Sequence, residues 1–176
     1  LSDGRDLFYF DDAGSQLPPE RKADARNLDA RPAVAEMRLD ALSGDWISVA
    51  ASRHGRAFQP PASECPLCPS TDTFLSEIPD RFDVAVFENK NPSFGPDLAA
   101  IDDKNYWVEP KLPLGLTKPS IGRCEVVVFS PEHEGSLASQ SEGRIRTILD
   151  ALADRTDAIM RMPGVRTVFP FENRGQ

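Results

Sequence analysis

The stretch FDVAVFEN, residues 82–89, decides the fold class of this 176-residue chain. Its apolar centre VAVF lies between charged residues and has the length and composition of a β-strand. The runs CEVVVFSP from Cys124 and VRTVFPFEN from Val165 have the same character. Upstream, MRLDALSGDWISVAAS from Met37 contains two short extended segments joined at residues 43–45, which predicts a hairpin. These runs together predict five strands.

A single amphipathic helix is predicted between Ser139 and Met162. Ser139 and Glu142 have the spacing of a capping box, and Pro163-Gly164 would end the helix. The apolar residues expected on one face are Ile145, Ile148, Leu149, Leu152 and Ile159. Strands with one helix and no regular βαβ alternation predict an α+β domain with a largely antiparallel sheet.

Two proline-rich segments are predicted to lack long regular elements. Residues 1–36 include QLPPERKADARNLDARP and are interpreted as an N-terminal surface arm that could pack through LFYF, followed by one domain over residues 37–176. Repeated prolines between residues 91 and 122 predict a long exposed loop.

Composition excludes several classes of function. The net charge of −8 argues against binding to nucleic acid, which requires a basic protein surface. The longest apolar runs fall far short of the roughly 20 residues of a membrane-spanning helix. The first residues lack a basic region followed by an apolar core, so they do not resemble a signal peptide. The chain has only three cysteines, two of them in one Cys-x-x-Cys motif, which suits a reducing compartment better than a disulfide framework. We therefore expect a cytoplasmic protein, and from its charge and hydropathy we expect it to bind neither nucleic acid nor membrane.

The clearest candidate for chemistry is ECPLCP, residues 64–69, because two thiolates spaced as Cys-x-x-Cys can reach one zinc ion. A redox role or a chance occurrence is the alternative, although a redox motif would want a βαβ setting. Further soft donors are limited to His54, His133 and Cys124. Cys124 begins a strand and suits a small buried apolar side chain, whereas His133 follows a strand at a turn, where it either binds metal or faces solvent.

An internal similarity links VFENKN at residues 86–91 to PFENRG at residues 170–175. Both place Phe-Glu-Asn and a cation at the end of an apolar run, where an Asn amide can bind a ribose or base and the cation a phosphate. Chance is the alternative for so short a repeat. Arg53 and Arg56, in SRHGRAFQ, are either further phosphate ligands or part of a solvated loop.

The ordered motifs resemble a known family. GDWISVAASRHGRAFQPP, ECPLCP, DVAVFENKNPSF, GRCEVVVFSPEHEGSL and VFPFENRG occur in the order and with the spacing of the N-terminal half of the galactose-1-phosphate uridylyltransferase family, a branch of the histidine-triad superfamily. The resemblance runs from about Met37 to Gln176 and implies a histidine-triad-like domain.

The resemblance also implies a metal site. In the family, the Cys-x-x-Cys pair and the histidine of Ser-Pro-x-His bind a structural zinc, so Cys65, Cys68 and His133 should be three of its ligands. The fourth ligand and the nucleophile are the two histidines of a His-Pro-His-Gly-Gln motif, which residues 1–176 do not contain. We therefore expect both beyond Gln176, no catalytic residue within this chain, and no activity from it alone.

The implied reaction is a ping-pong uridylyl transfer from UDP-glucose to a hexose 1-phosphate through a covalent histidine intermediate. Arg53, Arg56, Asn89 and Asn173 would bind the substrate, and the enzyme would be a homodimer or an assembly with a second polypeptide. Several family members have Asn-Asp where this chain has Asn89 and Lys90, which favours a phosphate contact there. A related nucleotide phosphorylase and a non-catalytic, zinc-stabilised nucleotide-binding fragment are the alternatives.

Overall fold

A computed structural model of the chain describes residues 1–29, 36–50, 60–95 and 115–172. The chain divides into two compact units: one comprises Leu1–Asp29, Gln59–Phe87 and Glu125–Gln176, and the other comprises Ala30–Phe58 and Glu88–Cys124. The described elements are strands β1 (Leu7–Phe10), β2 (Glu36–Leu39), β3 (Trp46–Val49), β4 (Val84–Glu88), β5 (Thr117–Pro119) and β6 (Glu125–Val128), helix α1 (Glu142–Met160), and short 3₁₀ helices at Ala62–Glu64 and Leu137–Ser139. The α+β prediction is confirmed, although the described strands form two small sheets with antiparallel pairings instead of one sheet. The histidine-triad-like fold stays a prediction.

The first unit is built on a three-stranded sheet in the order β1-β4-β6. β1 pairs antiparallel with β4, so that Phe10 lies opposite Val84 and Leu7 opposite Phe87. The LFYF segment of the predicted arm is thus a strand of this sheet. The boundary at residue 36 stays a prediction.

Both faces of β4 are buried, which explains why its sequence is a continuous apolar run. Val84 and Val86 pack with Ile148 and Ala151 of α1 on one face. Ala85 and Phe87 pack with Ile78 and Phe82 on the other face. Burial of these side chains provides the main favourable free energy of the unit.

Helix α1 is shorter than predicted and begins differently. Ser141 is its N-cap, and the Ser141 hydroxyl accepts a hydrogen bond from the Arg144 N–H at 3.1 Å. The predicted capping box of Ser139 and Glu142 is wrong. A capping box requires its glutamate at the third residue of the helix, whereas Glu142 is the first helical residue. Leu149 was predicted to face the core but is 59% exposed, since it lies about 100° round the helix from the buried Ile148.

The second unit contains the predicted hairpin. β2 and β3 pair antiparallel, with Leu39 opposite Trp46, and Gly44 adopts φ 77° in the turn. β5, inside the predicted proline-rich loop, adds a third strand against β2. β5 has only three residues, and so short a strand is compatible with the prolines in and near it.

The strand predicted from Val165 does not form over residues 165–172. Phe169 and Phe171 are instead 79% and 72% exposed, with ring centroids 6.3 Å apart. A strand requires a neighbouring strand to accept its backbone hydrogen bonds, and no strand of the described part of the chain pairs with this segment. Within the described ranges, no helix combines the length and apolar character needed to cross a bilayer.

Candidate metal centre

The Cys-x-x-Cys motif lies in a turn that begins with a short 3₁₀ helix. Ala62–Glu64 form that helix, and the Cys65 N–H donates to the Ala62 carbonyl at 3.3 Å. Pro66 and Pro69 directly follow the two cysteines and limit the backbone conformations of Cys65 and Cys68. Both cysteines are half-buried and neither forms a disulfide.

A returning segment, residues 70–78, fixes this turn from the other side. The Ser70 N–H donates to the Ile78 carbonyl at 2.8 Å, next to an isolated bridge between Pro69 and Ile78. The buried Ser76 hydroxyl lies 2.5 Å from the Cys68 carbonyl, and the Glu77 N–H donates to the Pro66 carbonyl at 3.0 Å. Two consecutive residues, Ser76 and Glu77, therefore form hydrogen bonds with backbone carbonyls of the cysteine loop.

His133 comes from a distant part of the sequence, in the turn that follows β6. Ser130 and Glu132 shape that turn, because the Glu132 N–H donates to the Ser130 hydroxyl at 3.2 Å and that hydroxyl donates to the Glu132 carboxylate. The His133 side chain is exposed. His133 thus lies after β6, as the sequence predicted.

The structure brings Cys65, Cys68 and His133 together. Their sulfur and nitrogen atoms all lie within 4.8 Å of one another, and Cys68 Sγ is 3.5 Å from His133 Nδ1. In a tetrahedral site with Zn–S near 2.3 Å and Zn–N near 2.05 Å, the sulfur-to-nitrogen distance is about 3.6 Å. Two thiols and an imidazole at this spacing could hold a zinc-like metal ion.

The surroundings of Cys68 disfavour its thiolate form. Burial, together with a hydrogen bond and charge from the adjacent Cys65, raises the pKa of Cys68 to about 11. A metal ion that binds sulfur as thiolate must therefore displace a proton from Cys68. Cys124 does not join the three ligands; it directly precedes β6 and is half-buried, less than the buried side chain predicted.

The predicted substrate-binding residues are only partly described. Asn89 follows the last residue of β4; its side-chain oxygen accepts from the Asn91 N–H at 2.9 Å, and its own N–H donates to the Cys124 carbonyl at 2.8 Å. Arg53, Arg56 and Asn173 lie outside the described residues. The contacts of Ser76 and Glu77 with the cysteine loop were not anticipated, because neither residue belongs to a recognisable motif.

Comparison with known proteins gives a consistent result. A family model described as "Galactose-1-phosphate uridyl transferase, N-terminal domain" matches residues 25–176. A galactose-1-phosphate uridylyltransferase from Streptomyces lividans is 37% identical over 175 residues, which cover 99% of this chain and 42% of that protein. Proteins of the same name from Thermotoga maritima and Rattus norvegicus are 33% and 26% identical, and the matches cover 81% and 92% of this chain but 42% and 45% of those proteins. The chain thus spans less than half the length of these relatives. No solved structure matches it significantly.

Proposed function

Because the chain belongs to the galactose-1-phosphate uridylyltransferase family through that family's N-terminal domain, we propose that it is the N-terminal, histidine-triad-like part of a UDP-glucose:hexose-1-phosphate uridylyltransferase. The observation that carries the proposal is the convergence of Cys65, Cys68 and His133 within 4.8 Å. Cys68 and His133 are 65 positions apart in the sequence. By resemblance to the family motifs, the three residues would be zinc ligands. A Cys-x-x-Cys motif that occurs by chance would not be expected to lie next to His133.

The proposed metal is a structural zinc held by these three side chains, with a fourth ligand from polypeptide outside residues 1–176. When bound, zinc would cross-link the cysteine loop to the turn after β6 and so stabilise the first unit. The donor set supports zinc over calcium or magnesium, because hard cations prefer oxygen ligands. Within this chain the three residues would act by binding the ion and by fixing the positions of the two segments.

The proposed reaction is a double displacement. A histidine nitrogen attacks the α-phosphorus of UDP-glucose, the bond from that phosphorus to the β-phosphate oxygen breaks, and glucose 1-phosphate leaves. A phosphate oxygen of the acceptor hexose 1-phosphate then attacks the same phosphorus, the phosphorus–nitrogen bond breaks, and UDP-hexose forms with the histidine regenerated. His54 and His133 are the two histidines of the chain, and neither lies in a His-Pro-His-Gly-Gln motif. The nucleophile would therefore come from polypeptide outside these residues, either continuous with the chain or in a second subunit.

The proposed substrate-binding residues are Arg53, Arg56, Asn89 and Asn173. Arginine suits phosphate because its planar group presents several donors, and asparagine suits ribose or base because its amide both donates and accepts. The hydrogen bond from the Asn91 N–H gives the Asn89 side chain a defined orientation at the end of β4, which supports a binding role. We also propose a homodimer, or an assembly with the remaining half of the enzyme, in the cytoplasm.

The function is tested by a uridylyl-transfer assay from UDP-glucose to galactose 1-phosphate. The assay is run on the 176-residue chain alone and again with the rest of the polypeptide supplied, and mass spectrometry follows a uridylyl group on the protein. We expect transfer and a uridylylated histidine only in the second case. Transfer by the 176-residue chain alone would contradict the placement of the nucleophile, and absence of transfer from the complete protein would contradict the proposed reaction.

Arg53→Met and Arg161→Met provide a matched pair for this assay. Loss of a phosphate contact by Arg53→Met should raise the KM for UDP-glucose. The side chain of Arg161, directly after α1, is 77% exposed and forms a solvent-exposed ion pair with Asp157, so its replacement should leave the KM unchanged. Equal KM values for the two variants would contradict the role proposed for Arg53.

A further inference from the structure

A cluster of buried charges lies in the first unit and is not accounted for by the proposed reaction. Arg5 binds Asp3 and Glu77, at 2.7 and 2.5 Å, and Arg26 binds Asp24 and Glu77, at 2.8 and 3.1 Å. None of these five side chains is more than 14% exposed. Burying charges is unfavourable unless each is paired, so such a cluster forms only where the fold brings all its members together.

Two carboxylates of this cluster, those of Asp3 and Asp24, have lowered pKa values. Burial would raise the pKa of Asp24, but hydrogen bonds from Arg26 and Ser2 and the charge of Arg26 hold it well below its usual range. Burial would likewise raise the pKa of Asp3, but its hydrogen bonds and charge pairing with Arg5 lower it. The pairing within the cluster is therefore stronger than the effect of burial on these two groups.

Glu77 connects the cluster to the cysteine loop. Its carboxylate forms ion pairs with both Arg5 and Arg26. Its backbone N–H donates to the carbonyl of Pro66, which lies between the two cysteines. The two ion pairs restrict the conformation of Glu77, the residue whose N–H bonds to the cysteine loop. The charges of residues 3–26 thus act on the backbone of the candidate metal loop through one residue.

Ser76 makes the second connection. Its hydroxyl is buried, accepts from the Ile78 N–H at 3.1 Å and lies 2.5 Å from the Cys68 carbonyl. Its backbone N–H donates to the Ser70 hydroxyl at 2.9 Å, which ties it to the segment that follows Cys68. Consecutive residues therefore satisfy the carbonyls of Pro66 and Cys68.

The cysteine loop has little apolar packing to hold it in place. Leu67, its central apolar residue, is 41% exposed, and both cysteines are only half-buried. Polar contacts, among them those of Ser76 and Glu77 with the carbonyls of Cys68 and Pro66, therefore contribute much of the order of the loop. A metal ion binds more tightly to ligands that are already in position, because less conformational entropy is lost on binding.

We propose that Ser76 and Glu77, the latter anchored by Arg5 and Arg26, are positioning residues that preorder the Cys65–Cys68 loop for its metal ion, so that the N-terminal segment is part of the metal centre. The inference rests on the metal binding proposed above. It assigns the buried arginines a role in metal affinity in addition to their contribution to stability.

The test uses Glu77→Gln and Ser76→Ala in the 176-residue chain, with Asp157→Asn as control. Glu77→Gln keeps the size of the side chain but removes the charge that binds Arg5 and Arg26. Ser76→Ala removes a single hydroxyl and is the milder change if Glu77→Gln does not fold. Asp157 belongs to an exposed ion pair with Arg161 on α1, far along the chain from the loop.

Two readouts separate positioning from general stability. The first is hydrogen exchange in the metal-free protein, where the amides of Ser70 and Glu77 should exchange faster in both test variants while amides within α1 stay unchanged. The second is zinc affinity by competition with a chromophoric chelator, where we expect weakening by about 10- to 100-fold, the usual effect of losing an outer-shell contact. The control should match the wild type within about twofold, because exposed ion pairs contribute little.

The two proposals can fail separately. If the wild-type chain binds no zinc, the metal proposal is overturned, and the exchange data on the metal-free protein still decide whether residues 76 and 77 order the loop. If the wild type binds zinc but both variants bind it equally well, with unchanged exchange at Ser70, the positioning role is overturned. Equal slowing or acceleration of exchange in every element, α1 included, would also overturn it by showing a global stability effect alone.

Discussion

Replacement of Ile148 by alanine tests the packing of α1 on the central sheet. Ile148 is 5% exposed and contacts the cluster around Val84 and Val86 of β4. The change removes three carbon atoms from a buried position, and at about 0.8 kcal/mol for each buried CH₂ the transfer contribution is about 2.4 kcal/mol. The cavity that remains adds to this, so that the free energy of unfolding should fall by about 3 kcal/mol in total.

Leu149→Ala is the matched control, because the neighbouring Leu149 is 59% exposed on the same helix. Its replacement should change the free energy of unfolding by less than about 0.5 kcal/mol. Urea denaturation followed by far-ultraviolet circular dichroism measures both variants against the wild type. Equal effects of the two replacements, or a larger effect of Leu149→Ala, would refute the assignment of the buried face.

Two further replacements test electrostatics and backbone strain. Arg144 bridges Asp12 and Asp83 at 2.9 and 2.8 Å, so Arg144→Met should lower the free energy of unfolding at neutral pH by about 2 kcal/mol, less than for a fully buried pair because these groups are partly exposed. Burial would raise the pKa of Asp83, but its hydrogen bonds and the Arg144 charge lower it, so this stabilisation is complete above the ordinary Asp pKa and is lost as the pH falls through the lowered one. Urea midpoints should therefore differ strongly between variant and wild type at neutral pH, and the difference should begin to narrow as the pH falls below about 4; an equal gap at neutral pH and at about pH 3 would contradict the ionic explanation. Gly122 adopts φ 153°, and a Cβ there would lie 2.9 Å from Phe94 Cβ. Gly122→Ala should lower the unfolding midpoint by an amount equivalent to about 1–3 kcal/mol, and an unchanged midpoint would show that the backbone accommodates a side chain.

Local sequence patterns predicted the elements whose formation depends mainly on their own residues. The VAVF run became the central strand because both of its faces are covered, and the hairpin formed where Gly44 permits positive φ. Residues 165–172 show the limit of such reasoning. Their composition favours a strand, but pairing depends on a neighbouring backbone that composition does not specify.

The β1 strand shows the converse. The local sequence of LFYF predicts an arm that could pack, whereas its antiparallel pairing with β4 depends on a contact across more than 70 positions of sequence. The register between two such distant segments follows from tertiary packing rather than from any local signal.

The metal ligands were easier to identify than the residues that support them. Cys65, Cys68 and His133 belong to types that bind metals and occur in recognisable motifs. Ser76 and Glu77 act through a hydroxyl and a backbone N–H, which almost any sequence can supply, so only the geometry reveals their contacts with the loop. Asn89 is intermediate: the motif identified the residue, and the structure adds its hydrogen bond with Asn91.

The metal content of the chain tests the central claim most directly. Protein reconstituted with zinc and freed of excess metal is assayed by elemental analysis, with thiols titrated in parallel to verify that they are reduced. We predict about one zinc per chain for the wild type and for Cys124→Ser, whose sulfur lies outside the three-ligand group, and a loss of zinc for Cys68→Ser and His133→Ala. Wild-type protein with intact thiols and no bound zinc, or zinc retained in full by Cys68→Ser and His133→Ala, would contradict the claim.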